Sequence, residues 1–283
     1  IFVMTNSNSN NEIAVGSADI TDGQTWTGIN LPTSNQRFCD CLTWSNDSTN
    51  STSGVWMAGK RNGKIARSTD GAQSFSELSL PNDSGAAILS IAGNGSGKFV
   101  TGQEGRLLIS TNDGASFSSS TPFTAETING VAYTNQTWIV TYTKSGEANL
   151  YARTAADSDL TTWSSEVDLG IAKPAARDNH NTPDARASIA AASGRAVIVS
   201  NKISAIARLD INGTSTSNLA NPTYSGPNIR DISTNGSVWL IVTEGGDIYE
   251  STDNGETFTE IVDDLRGTGR ALQCVTYGKH LPL

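Results

Sequence analysis

Short apolar runs separated by polar turns recur along the whole chain. An aromatic residue opens one kind of run, at Trp56, Phe99, Trp138 and Trp239, and each of these follows a turn of Gly, Asn or Ser residues. Such residues tolerate the positive φ that tight hairpins need. The pattern predicts antiparallel strands, for example at 138–142, 149–153 and 162–166, and no helix is predicted.

A second pattern is a polar turn that repeats with a closing aromatic residue. Three copies lie at 68–75, 110–117 and 251–258, a looser copy at 17–26 and a degenerate copy at 157–163. The closing aromatics stand at 26, 75, 117, 163 and 258, and a further, eroded copy is expected at 209–213. A period in the forties with short alternating runs is typical of four-stranded propeller blades.

A third pattern, two apolar residues three positions apart, marks the inner strand of each blade, as at 88–91, 128–131 and 229–232. The chain begins at a second strand, 1–4, and ends at an inner strand, 272–277. We therefore predict an all-β, six-bladed β-propeller of four-stranded antiparallel blades, forming a single domain over residues 1–283. The C-terminal strand is expected to complete the first blade, which would leave no free sheet edge.

Composition and charge exclude several classes of function. A hydrophobic share of 36% with 17% charged residues argues against disorder. The net charge of −9 argues against nucleic acid and anionic membrane surfaces as partners. The chain lacks the roughly 20 consecutive apolar residues of a spanning helix, so no membrane insertion is predicted. Its only histidines are His180 and His280, and neither a metal site nor a cofactor is predicted.

The repeated turn, Ser-x-Asp-x-Gly-x-Thr-Trp in its fullest form, resembles the Asp box, or bacterial neuraminidase repeat. That family includes sialidases, sortilin-like receptors and photosystem assembly factor propellers. The resemblance implies a propeller with the box between the third and fourth strands of a blade, away from the active face. Turn chemistry accounts for its residues, so we predict structural roles for Asp19, Trp26, Asp70, Phe75, Asn112, Gly114, Phe117, Asp253, Gly255 and Phe258.

The same resemblance raises the question of sialidase chemistry, in which three arginines hold a carboxylate. Arg37, Arg186, Arg230 and Arg270 stand near the starts of inner strands. However, the Arg-Ile-Pro motif of that family is absent, and no tyrosine is identifiable as the nucleophile. We therefore predict no catalytic residue.

Binding residues are expected on the face opposite the repeated turns. The longest unpatterned stretch, 168–186, opens on that face and contains Arg177 and His180. Aromatic and arginine anchors favour recognition. The predicted binding residues are Arg37, Arg177, His180, Arg186, Tyr224, Arg230 and Arg270.

The cysteines leave two alternatives open. Cys41 and Cys274 occupy equivalent positions on neighbouring inner strands, where a disulfide would join the ends of the ring. Equivalent positions on adjacent blades can be too far apart for a disulfide, and buried thiols are the other interpretation.

The sequence thus favours a non-catalytic structural or binding module of an extracellular or virion assembly, such as a phage tail or surface appendage. The expected partners are protein subunits of that assembly or a glycan. The alternatives are a sialidase-type glycoside hydrolase and a non-catalytic glycan-binding lectin.

Overall fold

The structure is a computed structural model. It describes residues 2–5, 12–16, 27–30, 39–49, 54–82, 84–125, 127–174, 187–200, 204–212, 215–222, 224–263 and 275. This part of the chain contains twenty-three strands in six antiparallel sheets, which we number in chain order. No helix in it is long and apolar enough to span a membrane.

Each sheet is a meander of consecutive strands. Sheet one contains β1 (Phe2–Thr5), β2 (Glu12–Gly16) and β3 (Thr27–Asn30). Sheet two contains β4 (Cys39–Ser45), β5 (Val55–Lys60), β6 (Ile65–Ser68) and β7 (Ser76–Glu77). Sheet three contains β8 (Ile91–Gly93), β9 (Phe99–Gln103), β10 (Arg106–Ser110) and β11 (Ser118–Ser120).

The later sheets follow the same plan. Sheet four contains β12 (Thr127–Thr134), β13 (Thr137–Thr143), β14 (Asn149–Ala156) and β15 (Val167–Ala172). Sheet five contains β16 (Ala187–Ala192), β17 (Arg195–Ser200), β18 (Ile206–Asn212) and β19 (Ser215–Leu219). Sheet six contains β20 (Ile229–Thr234), β21 (Trp239–Thr243), β22 (Ile248–Ser251) and β23 (Thr259–Val262).

The prediction of six four-stranded blades is wrong, because the described residues form five four-stranded blades. Sheet one has three strands, β1 to β3. The strand predicted to complete it, 272–277, lies outside the described residues except for Val275, and Val275 is not in a strand. The Val275 N–H donates instead to Asp231 Oδ2 on β20, at 3.0 Å. The prediction of one domain over residues 1–283 stays a prediction.

The chain divides into two compact units, residues 1–131 with 280–283, and residues 132–279. In the first unit, Met57, Ile65, Phe99 and Leu108 belong to one apolar cluster that joins sheets two and three. In the second unit, one cluster includes Leu150, Leu169, Ile198 and Leu209, and another includes Val197, Val199, Ile229 and Trp239. Two of the aromatics that open apolar runs, Phe99 and Trp239, belong to these clusters, and Trp138 is also fully buried.

Two predicted strands lie elsewhere. The inner strand of sheet three is Ile91–Gly93 rather than 88–91. The fourth strand of sheet four is Val167–Ala172 rather than 162–166, because Asp159 Oδ1 accepts the Thr161 N–H at 2.8 Å and holds the preceding segment in a turn. The predicted loop 168–186 therefore begins inside a strand, and residues 175–186 lie outside the described part of the chain.

Candidate functional site

The four-stranded sheets have two chemically different ends. One end carries the turn between the first and second strands and the turn between the third and fourth; we call it the repeat-turn end. The other carries the turn between the second and third strands and the connection to the next sheet; we call it the variable end. The second-to-third-strand turns lie at 60–65, 103–106, 143–149, 200–206 and 243–248.

The repeat-turn end has nearly the same hydrogen bonds in sheets two, three and six. The Ser that opens each turn (Ser68, Ser110 or Ser251) donates its hydroxyl to Asp70, Asn112 or Asp253, at 2.7, 2.9 and 2.7 Å. The same hydroxyl accepts the N–H four residues further on, at 2.9–3.0 Å. Because these bonds satisfy the turn internally, the residue types recur without any need for a ligand.

The fourth and fifth residues of each repeated turn both have positive φ. The fifth position holds Ala72 (φ 66°), Gly114 (φ 69°) and Gly255 (φ 75°). Glycine adopts this conformation without the steric cost that a Cβ adds, which accounts for the glycine in two of the three copies.

Folding lowers the pKa of two of the turn aspartates, Asp70 and Asp253. Partial burial alone would raise the pKa of Asp70, but hydrogen bonds from Ser74, Ser68 and the Gln73 N–H lower it from 3.8 to about 2. The pKa of Asp253 falls to about 2 in the same way, through Thr257, Ser251 and the Glu256 N–H. A carboxylate whose pKa is lower in the folded state stabilises the fold above its unfolded pKa.

We therefore expect the repeated turns to lose stability as the pH falls from about 4 to about 2. A D70N/D253N variant should be less stable than the wild type at pH 7 and equally stable near pH 2, because its amides do not titrate. Asn112 shows that the turn accepts an amide at this position. Urea unfolding at several pH values measures the difference in stability between the two proteins. Asn112→Asp adds a third titrating carboxylate to the repeated turns, so it should increase the stability that is lost between about pH 4 and about pH 2. Parallel pH profiles for the wild type and D70N/D253N would contradict the expectation.

The variable end has a buried polar residue at the end of the second strand in each four-stranded sheet. These residues are Lys60, Gln103, Tyr142, Ser200 and Thr243, each 0–1% exposed. Their chemistry differs from sheet to sheet. Gln103 Nε2 donates to Gly63 O (2.9 Å) and Ala86 O (3.2 Å), whereas Thr243 Oγ1 donates to Asp247 Oδ2 at 2.7 Å. A buried polar group that is hydrogen-bonded fixes the backbone around it, so Gln103 and Thr243 hold the turn segments that they contact.

Strand irregularities also lie at the variable end. All four register shifts found among the described strand pairs occur there, in β4–β5, β14–β15, β20–β21 and β22–β23. A β-bulge turns a side chain in a new direction and is common beside functional sites. One bulge residue is Arg230, between Ile229 and Asp231.

Two predicted binding residues, Tyr224 and Arg230, lie at the variable end of sheet six, with separate partners. The Arg230 side chain is 9% exposed and forms an ion pair with Glu244, whose other oxygen accepts the Asn228 amide at 2.9 Å. The Tyr224 hydroxyl donates to Pro227 O at 2.8 Å, and its ring meets Tyr249 edge-on with centroids 5.1 Å apart.

Sheet six is acidic along its whole length. Residues 215–263, which include both ends of this sheet, contain eight carboxylates and one arginine. Burial, followed by hydrogen bonding to Glu260 and its charge, raises the pKa of Tyr249 to about 12. Burial, followed by Tyr249 and Asp247, also raises the pKa of Tyr224. Both tyrosines therefore stay protonated at neutral pH and act as hydrogen-bond donors.

Sheet four has its own network at this end. Glu166 accepts the Tyr142 hydroxyl at 2.5 Å and forms an ion pair with Lys144 at 2.6 Å. Arg153 Nε donates to the Tyr142 oxygen at 3.0 Å, and Lys144 Nζ lies 3.9 Å from the centre of the Tyr151 ring. Burial, followed by the bond to Glu166, raises the pKa of Tyr142. Sequence reasoning missed this network, although Tyr142 stands four residues after Trp138, just as Lys60, Gln103 and Thr243 follow their own aromatics.

Several predicted site residues lie outside the residues whose side chains are described: Arg37, Arg177, His180, Arg186, Arg270, Asp19, Trp26 and Cys274. The disulfide between Cys41 and Cys274 therefore stays a prediction; Cys41 Sγ donates to Ile88 O at 3.5 Å. Within the described residues, no group of three or more His, Cys, Asp or Glu side chains could hold a metal ion.

No protein-family model matches the chain, and no curated protein does. Solved structures do resemble the chain. The chain is similar to YCF48 bound to a D1 peptide, with a TM-score of 0.59, 14% identity, and coverage of 93% of this chain and 79% of that chain. It is also similar to the computationally designed Ika8 protein, with a TM-score of 0.58, 12% identity, and coverage of 98% and 75%. The fold is a β-propeller. At these identities the likeness concerns the fold alone.

Proposed function

We propose that this chain is a non-catalytic β-propeller of the Asp-box kind that binds a segment of a partner protein at its variable end. We place it as a structural or binding module of an extracellular or virion assembly, such as a phage tail or surface appendage. The observation that carries the proposal is the contrast between the two ends. The repeat-turn end has the same turn in three sheets, whereas the variable end has a different buried polar residue in each four-stranded sheet.

This contrast supports recognition at the variable end because binding needs surfaces that differ from one another. Loops held by buried polar groups are ordered before a partner arrives, which lowers the entropic cost of association. The similar propeller YCF48 is bound to a peptide, which supports a protein segment as the partner here. The Ser, Thr and Asn content of the chain supports an exported or virion protein.

The tyrosines support a non-catalytic role. Tyr142 and Tyr249 each donate a hydrogen bond to a glutamate, a pairing that sialidases use for their nucleophile. However, Tyr142 is 0% and Tyr249 9% exposed, so neither residue is presented openly to a glycoside. Saturable release of sialic acid from a synthetic glycoside, abolished by Arg230→Ala or Arg270→Ala, would contradict the proposal.

The location of the site can be tested with two serines at opposite ends of sheet four. Ser145 lies in the variable-end turn and Ser158 in the repeat-turn end, and both are exposed. Peptides are first selected from a displayed random library against the wild-type protein. Ser145→Trp is expected to weaken their binding at least tenfold by steric block, and Ser158→Trp to leave it unchanged. We expect the selected peptides to be rich in Lys and Arg, because of the carboxylates of sheet six.

Binding that is lost with Ser158→Trp and kept with Ser145→Trp, when both variants are folded by circular dichroism, would place the site at the wrong end. Selection of no peptide, together with retention on immobilised oligosaccharides, would favour the lectin alternative.

A further inference from the structure

Two repeated turns contact the preceding sheet in the same way. A Cβ built on Gly114 of sheet three would lie 2.8 Å from Met57 Cε in sheet two. A Cβ built on Gly255 of sheet six would lie 2.6 Å from Val197 Cγ2 in sheet five. Met57 and Val197 are both the third residue of a second strand. In both turns the fifth residue is therefore a glycine that packs against the neighbouring sheet.

An arginine stands directly across the ladder from each of these apolar residues. Met57 pairs with Arg67, and Val197 pairs with Arg208. Arg67 Nε donates to the carbonyl of Asp113, the fourth residue of the turn on sheet three, at 2.8 Å. Arg208 is 6% exposed, and its NH1 lies 3.9 Å from Glu256 Oε2 in the turn on sheet six. Each arginine thus lies beside the turn of the following sheet.

The arginine is absent where the following turn is degenerate. The positions equivalent to Arg67 in sheets three and four hold Ile109, opposite Val100, and Thr154, opposite Ile139. The sheets that follow them carry the degenerate copy at 157–163 and the eroded copy at 209–213. The arginine and the glycine-bearing turn therefore occur together at these junctions.

Asp113 adds a side-chain connection at the junction of sheets two and three. Its Oδ1 accepts the Ser48 N–H at 2.6 Å, and its Oδ2 accepts the Ser48 hydroxyl at 2.7 Å. Its own N–H donates to Gly97 O at 2.8 Å within sheet three. The carboxylate and the carbonyl of one turn residue are thus both bonded to the preceding sheet.

We infer that the repeated turns on sheets three and six are latches that fasten each sheet to the one before it. On both sheets the latch consists of the fifth-position glycine and the arginine of the preceding third strand. On sheet three the fourth-position residue, Asp113, adds its bonds to Ser48. This assigns to the turn a role between sheets, in addition to the hydrogen bonds that it makes within itself. It does not depend on the proposed binding function.

Ser48 and Asp113 provide a double-mutant test. If Asp113 is a latch residue, Asp113→Ala should lower the melting temperature by about 4 °C, and adding Ser48→Ala should lower it little further, because the two side chains share one interaction. Asn254→Ala is the matched control. It changes the same turn position at a similar φ, and the Asn254 side chain has no hydrogen-bond partner among the described residues, so it should show only the smaller cost of the backbone conformation.

Hydrogen exchange separates the latch from a role confined to the turn, because only the latch involves the Ser48 amide of the preceding sheet. In the Asp113→Ala protein the Ser48 amide should exchange about tenfold faster, and Asp113→Asn, which keeps an acceptor, should restore part of its protection. The latch proposal is wrong if the decreases in melting temperature caused by Ser48→Ala and Asp113→Ala add, and if the exchange rate of the Ser48 amide is unchanged in the Asp113→Ala protein. If Asp113→Ala does not fold, the Asp113→Asn and Ser48→Ala proteins decide between the same two outcomes.

Discussion

Replacing Glu77 with alanine is expected to lower the free energy of unfolding by about 3 kcal/mol, because it removes the carboxylate that faces a buried ammonium group. Lys60 Nζ lies 3.3 Å from Glu77 Oε2, and the exposed fractions of the two side chains are 0% and 22%. The lysine is the last residue of β5, and its side chain is fully buried.

Lys60→Met should behave differently, since it replaces the charge with an apolar group of similar length. We expect a change of about 1 kcal/mol or less, in either direction. The double variant K60M/E77A should be more stable than Glu77→Ala alone, because it no longer contains the buried Lys60 ammonium group that faced Glu77. Urea unfolding at pH 7 measures all three proteins. A Glu77→Ala variant as stable as Lys60→Met would show that the ion pair does not hold this end of the sheet.

The sequence predicted the parts of the fold that are determined locally. The aromatic that opens a second strand, as at Trp138, and the turn that ends at Phe117 are set by neighbouring residues, and both lie where the patterns placed them. The β-propeller prediction is confirmed by the four-stranded antiparallel sheets and by the solved structures that resemble the chain. The count of six four-stranded blades is wrong, because completing sheet one required pairing between the two ends of the chain, which no local pattern determines.

The fourth strand of sheet four shows a different kind of error. The pattern of apolar runs and polar turns predicts a strand at 162–166, but the alternation of buried Leu169 and Ile171 with exposed neighbours marks the true strand. That alternation is visible in the sequence and is the stronger signal for a strand. The bulge at Arg230 is the opposite case. Nothing local reveals that a strand-start arginine will pair with Glu244, in the turn after the adjacent strand, and be almost buried.

Gly255→Ala is expected to destabilise the protein by about 3 kcal/mol, through two effects that can be separated. A side chain at φ 75° is strained by roughly 1 kcal/mol, and the new Cβ would lie 2.6 Å from Val197 Cγ2 in a fully packed core. Ala72, at φ 66° in the equivalent position of the turn on sheet two, shows that the strain alone is tolerated.

Gly114→Ala is the matched comparison, because its Cβ would meet the flexible end of Met57 instead of a β-branched side chain. We expect it to cost about 2 kcal/mol, less than Gly255→Ala, because Met57 can move aside. In a Val197→Ala background, Gly255→Ala should cost only the roughly 1 kcal/mol of backbone strain, since the clashing methyl group is gone. Denaturant unfolding of the single and double variants gives these differences. Equal costs for Gly255→Ala with and without Val197 would mean that the backbone conformation alone, and not the contact between sheets, requires glycine at this position.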